Sequence, residues 1–170
     1  MAGWSEPEKE GHMSAASEKA AASFSAAIGE SEGTGEWFTV TQADIDTFAD
    51  VTRDHQFIHV DPEACAAMSP WGVPIAHGFL TLSMLTHLSS SIPVDTSRLE
   101  GIVMGVNYGF DKVRFVSPVK VNSRIRASST IAAVELKGDQ VQVTRSMTVE
   151  IEDSDKPALV ADWITRLVYG

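Results

Sequence analysis

Apolar and polar residues alternate along the second half of the chain, whereas apolar residues recur at helical spacings in the first 100 residues. Strict alternation is the pattern of strands that are buried on one side only. The alternating runs are residues 102–110, 112–121, 123–136, 140–152 and 157–169, with the turn sequences KGD and DSDKP between the last three. The pattern predicts a meander of long antiparallel strands.

The first half predicts helices. Thr41 is the expected N-cap of a helix that ends near residue 52, and Asp61-Pro62 begins another short helix. Residues 77–90 are apolar on nearly every side, which is typical of a long helix enclosed by protein. Helices followed by strands indicate the α+β class, and the sheet is the only element able to wrap the long helix.

Composition divides the chain into three parts. Residues 1–13 are predicted to be a disordered tail. Residues 14–35 are predicted to be an N-terminal helical extension and linker, because residues of high helix propensity are followed by ESEGTG. Residues 36–170 begin with the strand sequence EWFTV and are predicted to form a single domain that is long enough to bury a core.

Charge and cysteine content narrow the classes of partner and location. The formal net charge of −10 argues against nucleic acid and anionic membranes as partners. The single cysteine, Cys65, cannot form an intramolecular disulfide, which fits a reducing compartment, and its Ala-rich surroundings favour a buried packing role. No signal peptide is recognisable, and polar residues interrupt the most apolar window, so we expect a cytoplasmic protein.

The densest chemistry lies in RDHQFIHVD, residues 53–61, in the connection after the Thr41 helix. Asp54 and His59 can point into one cavity from this connection and share a water molecule as an acid/base pair. In that arrangement the carboxylate accepts a proton from the water, and the imidazole orients the water or supplies a proton. The alternative is structural: Asp54 closes the junction between helix and loop, and His59 is a half-buried histidine with ordinary partners.

The same stretch also allows a metal site formed by His55, His59 and Asp61. However, no Glu lies between the two histidines and no thiolate is near, and Asp61 is explained better as a helix N-cap. The sequence therefore predicts no metal.

A second stretch, GVPIAHGFLTLS, begins the long helix. Free backbone N–H groups at Gly78 can stabilise an oxyanion, and a glycine lets a substrate approach closely. A steric alternative is that Gly78 only lets the helix pack against the sheet. His77 either caps the helix or lines the site, and Ser83 is either part of the site or an ordinary core serine.

Together, TRDHQFIHVDPEACA and WGVPIAHGFLTLSML resemble the motifs of the MaoC-like (R)-specific enoyl-CoA hydratases, and VNYGFDKVRFVSPVKVNSRIRA extends the resemblance. The family pattern places Asn-Pro where this chain has Gln56-Phe57. In carrying Gln and an aromatic residue here, the chain resembles a nodulation protein N-like subgroup. The resemblance implies a hot-dog fold, a homodimer, and reversible addition of water to a trans-2-enoyl-CoA. It also implies catalysis by Asp54 and His59, an oxyanion site at Gly78, support from Gln56, Ser83 and His77, and no cofactor.

Residues that contact the substrate are less clearly marked. The pairs Lys112/Arg114 and Arg124/Arg126 each alternate on one strand face, and either pair is able to meet the coenzyme A phosphates or cross-strand acidic partners. The apolar candidates for the acyl pocket are Phe57, Trp71 and Phe79, with Leu80 and Met84 as further candidates for its far end.

Two other functions are compatible with a hot-dog domain. One is an acyl-CoA thioesterase, which usually lacks an Asp-x4-His motif combined with Ala-His-Gly. The other is a non-catalytic protein that binds acyl-CoA, which has no need to keep Asp54 and His59 together.

Overall fold

The computed structural model describes residues 14–170, so the predicted tail at residues 1–13 lies outside the described residues. The helices are α1 (Ala15–Ala26), α2 (Gln42–Thr52), α3 (Phe57–Val60), α4 (Pro62–Met68), α5 (Gly78–Ser83) and α6 (Leu85–Ser89), followed by a 3-10 turn at Thr96–Leu99. The strands are β1 (Ser31–Thr34), β2 (Phe38–Thr39), β3 (Ile102–Phe115), β4 (Arg124–Lys137), β5 (Gln140–Ile151) and β6 (Leu159–Tyr169). In the described part of the chain, no helix is long and apolar enough to cross a membrane.

The strands form one antiparallel sheet in the order β1-β4-β5-β6-β3, and β2 also pairs with β4. The predicted hairpins between β4 and β5 and between β5 and β6 are confirmed. The simple meander is wrong for β3, which pairs with β6 and forms the sheet edge. Alternation assigns side chains to the two faces of a strand but does not name the neighbouring strand.

β3 is a single strand where the sequence predicted two. It runs through Lys112, whose positive φ of 51° accompanies a register shift between Asp111 and Arg114. Such a bulge inserts extra residues without ending the strand. The chain leaves the sheet after Phe115, next to Ser117-Pro118, because proline lacks the N–H that a ladder requires.

The predicted long helix at residues 77–90 is present as α5 and α6, with a break at Met84. Two hydroxyl groups in α5 bond back to carbonyls four residues earlier, from Thr81 to His77 and from Ser83 to Phe79. Bonds of this kind bend helices. The break divides the helix without moving its two parts off the sheet, since α5 contacts β6 and α6 contacts β4.

One side of this helix is buried and the other is open. Leu80, Leu85 and Leu88 join the main core above the sheet, while Phe79 is 68% exposed. The prediction that protein encloses the helix on nearly every side is therefore wrong for the single chain. The open side faces outward along the same edge as Phe115 of β3, whose ring meets that of Phe79 at a centroid distance of 5.7 Å.

The N-terminal segment is part of the domain. The predicted helix is α1, and its Phe24 packs in a second core with Ile131 and Tyr169. The predicted linker at residues 30–35 is wrong in part, because residues 31–34 form β1 and pair with β4. The sequence ESEGTG shows no apolar alternation, so the strand left no signal in the pattern.

Candidate active site

Asp54 is placed by the end of α2. A capping box between Thr41 and Asp44 fixes the start of this helix, and Arg53 ends it in the left-handed conformation with φ of 65°. The chain then turns out of the helix, and the side chain of Asp54 is 56% exposed. The predicted connection after the helix is confirmed for this residue, but its second half forms the short helix α3, which carries His59.

His59 is held in one tautomer. Its Nδ1 lies 2.7 Å from the backbone oxygen of Ile75, and a carbonyl only accepts hydrogen bonds, so Nδ1 carries the proton. Two backbone bonds fix the Ile75 segment: Ile75 N donates to Ile58 O, and Ala76 N donates to Val119 O. In the neutral ring the lone pair is therefore on Nε2, and His59 in this form accepts a proton before it is able to supply one.

His77 joins the same cluster. Its side chain is 3% exposed, and its ring stacks on that of His59 with a centroid distance of 3.7 Å. Its Nε2 donates to the backbone oxygen of Asp54 at 2.9 Å and lies 4.0 Å from a carboxylate oxygen of the same residue. The structure thus brings Asp54, His59 and His77 together, and His77 lies at the site.

The environment of His59 favours its neutral form. Burial lowers the pKa of His59 below the ordinary value, and the neighbouring His77 lowers it further, while the bond to Ile75 and the charge of Asp54 act in the opposite direction. In a neutral imidazole next to a carboxylate, Nε2 is able to accept a proton, so His59 is suited to act as a general base.

A cavity of about 230 Å³ adjoins His59. Its walls include His59, Gly78, Thr81, Phe115, Pro118 and Ala158. A Cβ placed on Gly78 would come within 3.0 Å of the Phe115 ring. The steric reason for a glycine at this position is therefore present, and the same residue borders the cavity with a backbone N–H from the first turn of α5.

The metal site weighed from the sequence is not assembled. His55 bonds to Asp50 at 2.8 Å, and Asp61 caps α4 by accepting a bond from Ala64. Within residues 14–170, the group with ligand atoms close together is Asp54, His59 and His77, within 4.8 Å of one another. In this group Nδ1 of His59 and Nε2 of His77 each hydrogen-bond to a backbone carbonyl, and the two rings stack at an angle of 26°.

Other predicted site residues lie outside this cluster. Ser83 is exposed and bonds to Phe79 in its own helix, and Gln56 is exposed at the start of α3. Phe57 and Trp71 do not line the 230 Å³ cavity, whereas Phe79 contacts Phe115 at its wall. The predicted packing role of Cys65 is confirmed, since the residue is fully buried and burial raises the pKa of its thiol.

Three of the four candidate phosphate ligands have acidic partners. Lys112 pairs with Asp162, Arg124 with Glu152, and Arg126 with Glu150. The cross-strand alternative is thus confirmed for these three side chains. The fourth, Arg114, is exposed and donates to the backbone oxygen of Val113, and it precedes the cavity residue Phe115.

Sequence reasoning missed three residues of the site. Ile75 contributes only its carbonyl, Thr81 contributes a buried side chain, and Phe115 contributes an aromatic wall. No chemical motif marks an apolar residue whose carbonyl orients a histidine. The alternation did place Phe115 on a strand. Its position next to Gly78 follows only from the folded arrangement, in which β3 pairs with β6.

The chain is similar to proteins of one family. The pattern described as MaoC like domain matches residues 23–153. Nodulation protein N of Rhizobium leguminosarum bv. viciae is 49% identical over 144 residues, which are 84% of this chain and 87% of the relative. The 3-hydroxyacyl-thioester dehydratase Z of Mycobacterium tuberculosis is 49% identical over 148 residues, 86% of this chain and 95% of the relative.

The fold also has counterparts among solved structures. A MaoC-like dehydratase from Rhodospirillum rubrum superposes with a TM-score of 0.67 at 20% identity, over 85% of this chain and 94% of that one. The likeness covers most of both chains, and it identifies the predicted hot-dog fold.

Proposed function

Because this chain belongs to the MaoC-like dehydratases, we propose that it adds water reversibly to a trans-2-enoyl-CoA and yields the (R)-3-hydroxyacyl-CoA. The observation that carries the proposal is that Asp54 and the buried His59 lie in one cluster, that Nδ1 of His59 is the nitrogen bonded to Ile75, and that His59 lines a cavity. Hydration of a conjugated thioester requires a base for water, a proton for the α-carbon and stabilisation of an enolate oxygen. Each requirement has a candidate group in this site.

The proposed step begins with water held between Asp54 and His59. One O–H bond of the water breaks as its proton passes to Nε2 of His59, and the oxygen forms a bond to the β-carbon. The electron pair of the double bond moves toward the thioester, and the α-carbon then takes the proton from the imidazolium. The carboxylate of Asp54 stabilises the imidazolium in between. The sum is one water added, and both proton transfers use the same residue, which suits addition on one face.

Gly78 is the proposed donor to the thioester oxygen. Its N–H belongs to the first turn of α5, where backbone donors have no intrahelical partner. A side chain at this position would meet Phe115, so only glycine leaves the backbone and the ring as close neighbours of the carbonyl. Arg114 is the proposed contact for a coenzyme A phosphate, because it directly precedes the cavity residue Phe115 in the chain and the other three basic candidates are paired.

A second cavity suggests the path of the acyl chain. This space, of about 290 Å³, lies at the other end of the helix and is lined by Ser89, Ile92, Gly105 and Val106 among others. Phe115 and Gly105 both lie on β3, and they line the first and the second cavity respectively. We propose that the space along β3 between these two residues, which we call the seam, connects the two cavities. The helix from Gly78 to Ser89 spans about 16 Å, and we propose that a long acyl chain follows this seam.

We expect Gly105→Leu to shorten the accepted chain. A Cβ at Gly105 meets only Leu167, at 3.4 Å, so the added side chain fits and fills the cavity. An enoyl-CoA with an acyl chain of about twelve carbons is comparable in length to the seam. Its kcat/KM should fall by about 10-fold or more in the variant, whereas the kcat/KM for crotonyl-CoA should stay as in wild type. Gly109→Leu is the matched control, because a Cβ at Gly109 meets no atom within 4 Å. Equal losses for both substrates would contradict the seam.

The homodimer is proposed on the basis of β3. This strand is a sheet edge with unpaired backbone groups, and it exposes a run of large apolar side chains: Val103, Met104, Val106 and Tyr108. An exposed apolar edge of this length pairs readily with another copy. Two chains joined along β3 would also cover the open side of α5 beside Phe115.

We expect Met104→Arg to convert the dimer into a monomer, because it places a charge within the edge that pairs. Light scattering after gel filtration measures the mass directly. Met68→Arg is the matched control, since both methionines are exposed, at 54% and 67%, and Met68 lies on α4 away from the sheet edge. A wild-type chain that runs as a monomer, or two variants that behave alike, would contradict the proposed interface.

The function is tested with crotonyl-CoA by following the absorbance of the enoyl thioester and the configuration of the product. Loss of the band with formation of the (R)-3-hydroxy product supports the proposal. Release of free coenzyme A would indicate the thioesterase. Binding of acyl-CoA without any turnover, for short and long chains alike, would indicate the non-catalytic protein.

A further inference from the structure

His77 links the two halves of the candidate site. Its backbone immediately precedes Gly78, the proposed oxyanion donor, and its side chain reaches back to the connection that carries Asp54. The main chain of His77 therefore continues into α5, and its side chain is hydrogen-bonded to the connection that carries Asp54.

The tautomer of His77 follows from its partner. The backbone oxygen of Asp54 only accepts, so the Nε2 of His77, 2.9 Å away, must carry the proton and donate. Its other nitrogen, Nδ1, is buried and has no hydrogen-bond partner among the described residues. A buried histidine that leaves one nitrogen unsatisfied has given up a hydrogen bond, which indicates that its orientation is set by the bond at Nε2.

The ring of His77 has little freedom to turn away. It stacks on His59 and lies 5.1 Å from the ring of Phe48 in α2, and its side chain is 3% exposed. In contrast, the carboxylate of Asp54 is more than half exposed and extends from a stretch without regular structure. The rigid partner in this bond is His77, and the partner that needs to be held is Asp54.

We propose that His77 is a positioning residue that fixes the main chain of Asp54 relative to Gly78, and so sets the distance between the activated water and the thioester carbonyl. The expected effect of His77 on catalysis rests on the proposed hydration. Displacement of a reacting group by about 1 Å costs on the order of 100-fold in rate. Removing the bond should therefore lower kcat and leave the KM for crotonyl-CoA unchanged, because His77 itself does not touch the substrate.

Two substitutions separate the bond from the packing. The amide nitrogen of His77→Gln lies as many bonds from the Cα as Nε2 does, so this variant keeps a donor for the Asp54 oxygen. The amide of His77→Asn is one bond shorter and cannot reach it. Both variants lose the stack with His59 and the Nδ1 lone pair to the same extent, and thermal unfolding shows whether they are equally stable.

We expect His77→Asn to lower kcat by about 100-fold, and His77→Gln to recover most of that loss. Hydrogen exchange of the segment 53–60 gives a readout that does not depend on turnover: exchange should be faster in the Asn variant and return toward wild type in the Gln variant. Equal activity and equal exchange in the two variants would overturn the inference, because the role would then be packing alone.

The two proposals fail in different ways. If the wild-type chain hydrates no enoyl-CoA, the proposed function fails, and the exchange comparison still decides whether His77 holds Asp54. If the Asn variant does not fold, nitrogen-15 spectra of the wild-type imidazoles decide the point. A slowly exchanging proton on Nε2 of His77 is the expected result, and the Nδ1 tautomer would overturn the inference.

Discussion

Asp54→Asn is expected to reduce crotonyl-CoA hydration by about 10²- to 10⁴-fold, because acid/base catalysis by His59, which typically contributes this much, loses the carboxylate that stabilises the imidazolium. The substitution keeps the shape of the side chain and removes its charge. Without that charge the imidazolium of His59 has no carboxylate within reach, since Asp54 is the acidic member of the described cluster. The measurement is the initial rate of absorbance loss at saturating substrate.

The expected loss is chemical and not structural. The Asp54 side chain is 56% exposed, so its amide remains solvated and the unfolding temperature should change little. Asp50→Asn is the matched control, because Asp50 is an exposed carboxylate near the end of the same helix whose partner is the surface residue His55. An Asp54→Asn variant as active as the Asp50→Asn variant would remove Asp54 from the mechanism.

Local patterns in the sequence predicted the elements better than their arrangement. The Thr41 N-cap, the Asp61 N-cap and the hairpins from β4 to β6 each depend on neighbouring residues, and all three are confirmed. The position of β3 beside β6 depends on the closure of the sheet around the helix, which no short stretch encodes. β1 was missed for a related reason, since ESEGTG becomes a strand only because β4 offers it an edge.

The candidate site shows the same division. Asp54 and His59 were recognisable because their side chains carry chemistry at a characteristic spacing, and the structure places them in one cluster. Ser83 had an equally suggestive position five residues after Gly78, but its hydroxyl bonds within its own helix. Ile75 acts through a carbonyl, which every residue possesses, so its contribution is visible only in the folded chain.

The lowered pKa of His59 determines how the activity should depend on pH. His59 acts as a base only when it is neutral, and burial and His77 hold its pKa below the ordinary value. The neutral form therefore persists as the pH falls through the range in which an exposed histidine would take up a proton. Activity is expected to be retained above the lowered pKa and to be lost only as the pH falls through it.

His59→Asn tests this role with the least structural disturbance. The amide nitrogen of the asparagine lies as many bonds from the Cα as Nδ1 does, so it keeps the donor for Ile75 and removes the base at Nε2. We expect kcat/KM for crotonyl-CoA to fall by about 10²- to 10⁴-fold, and the acid limb of the pH profile to disappear from the residual rate. His55→Asn, in the same connection but on the surface, should keep both the rate and the limb. An acid limb that survives in His59→Asn would assign the titrating base to another group, and the Nε2 lone pair would then have no part in activating the water.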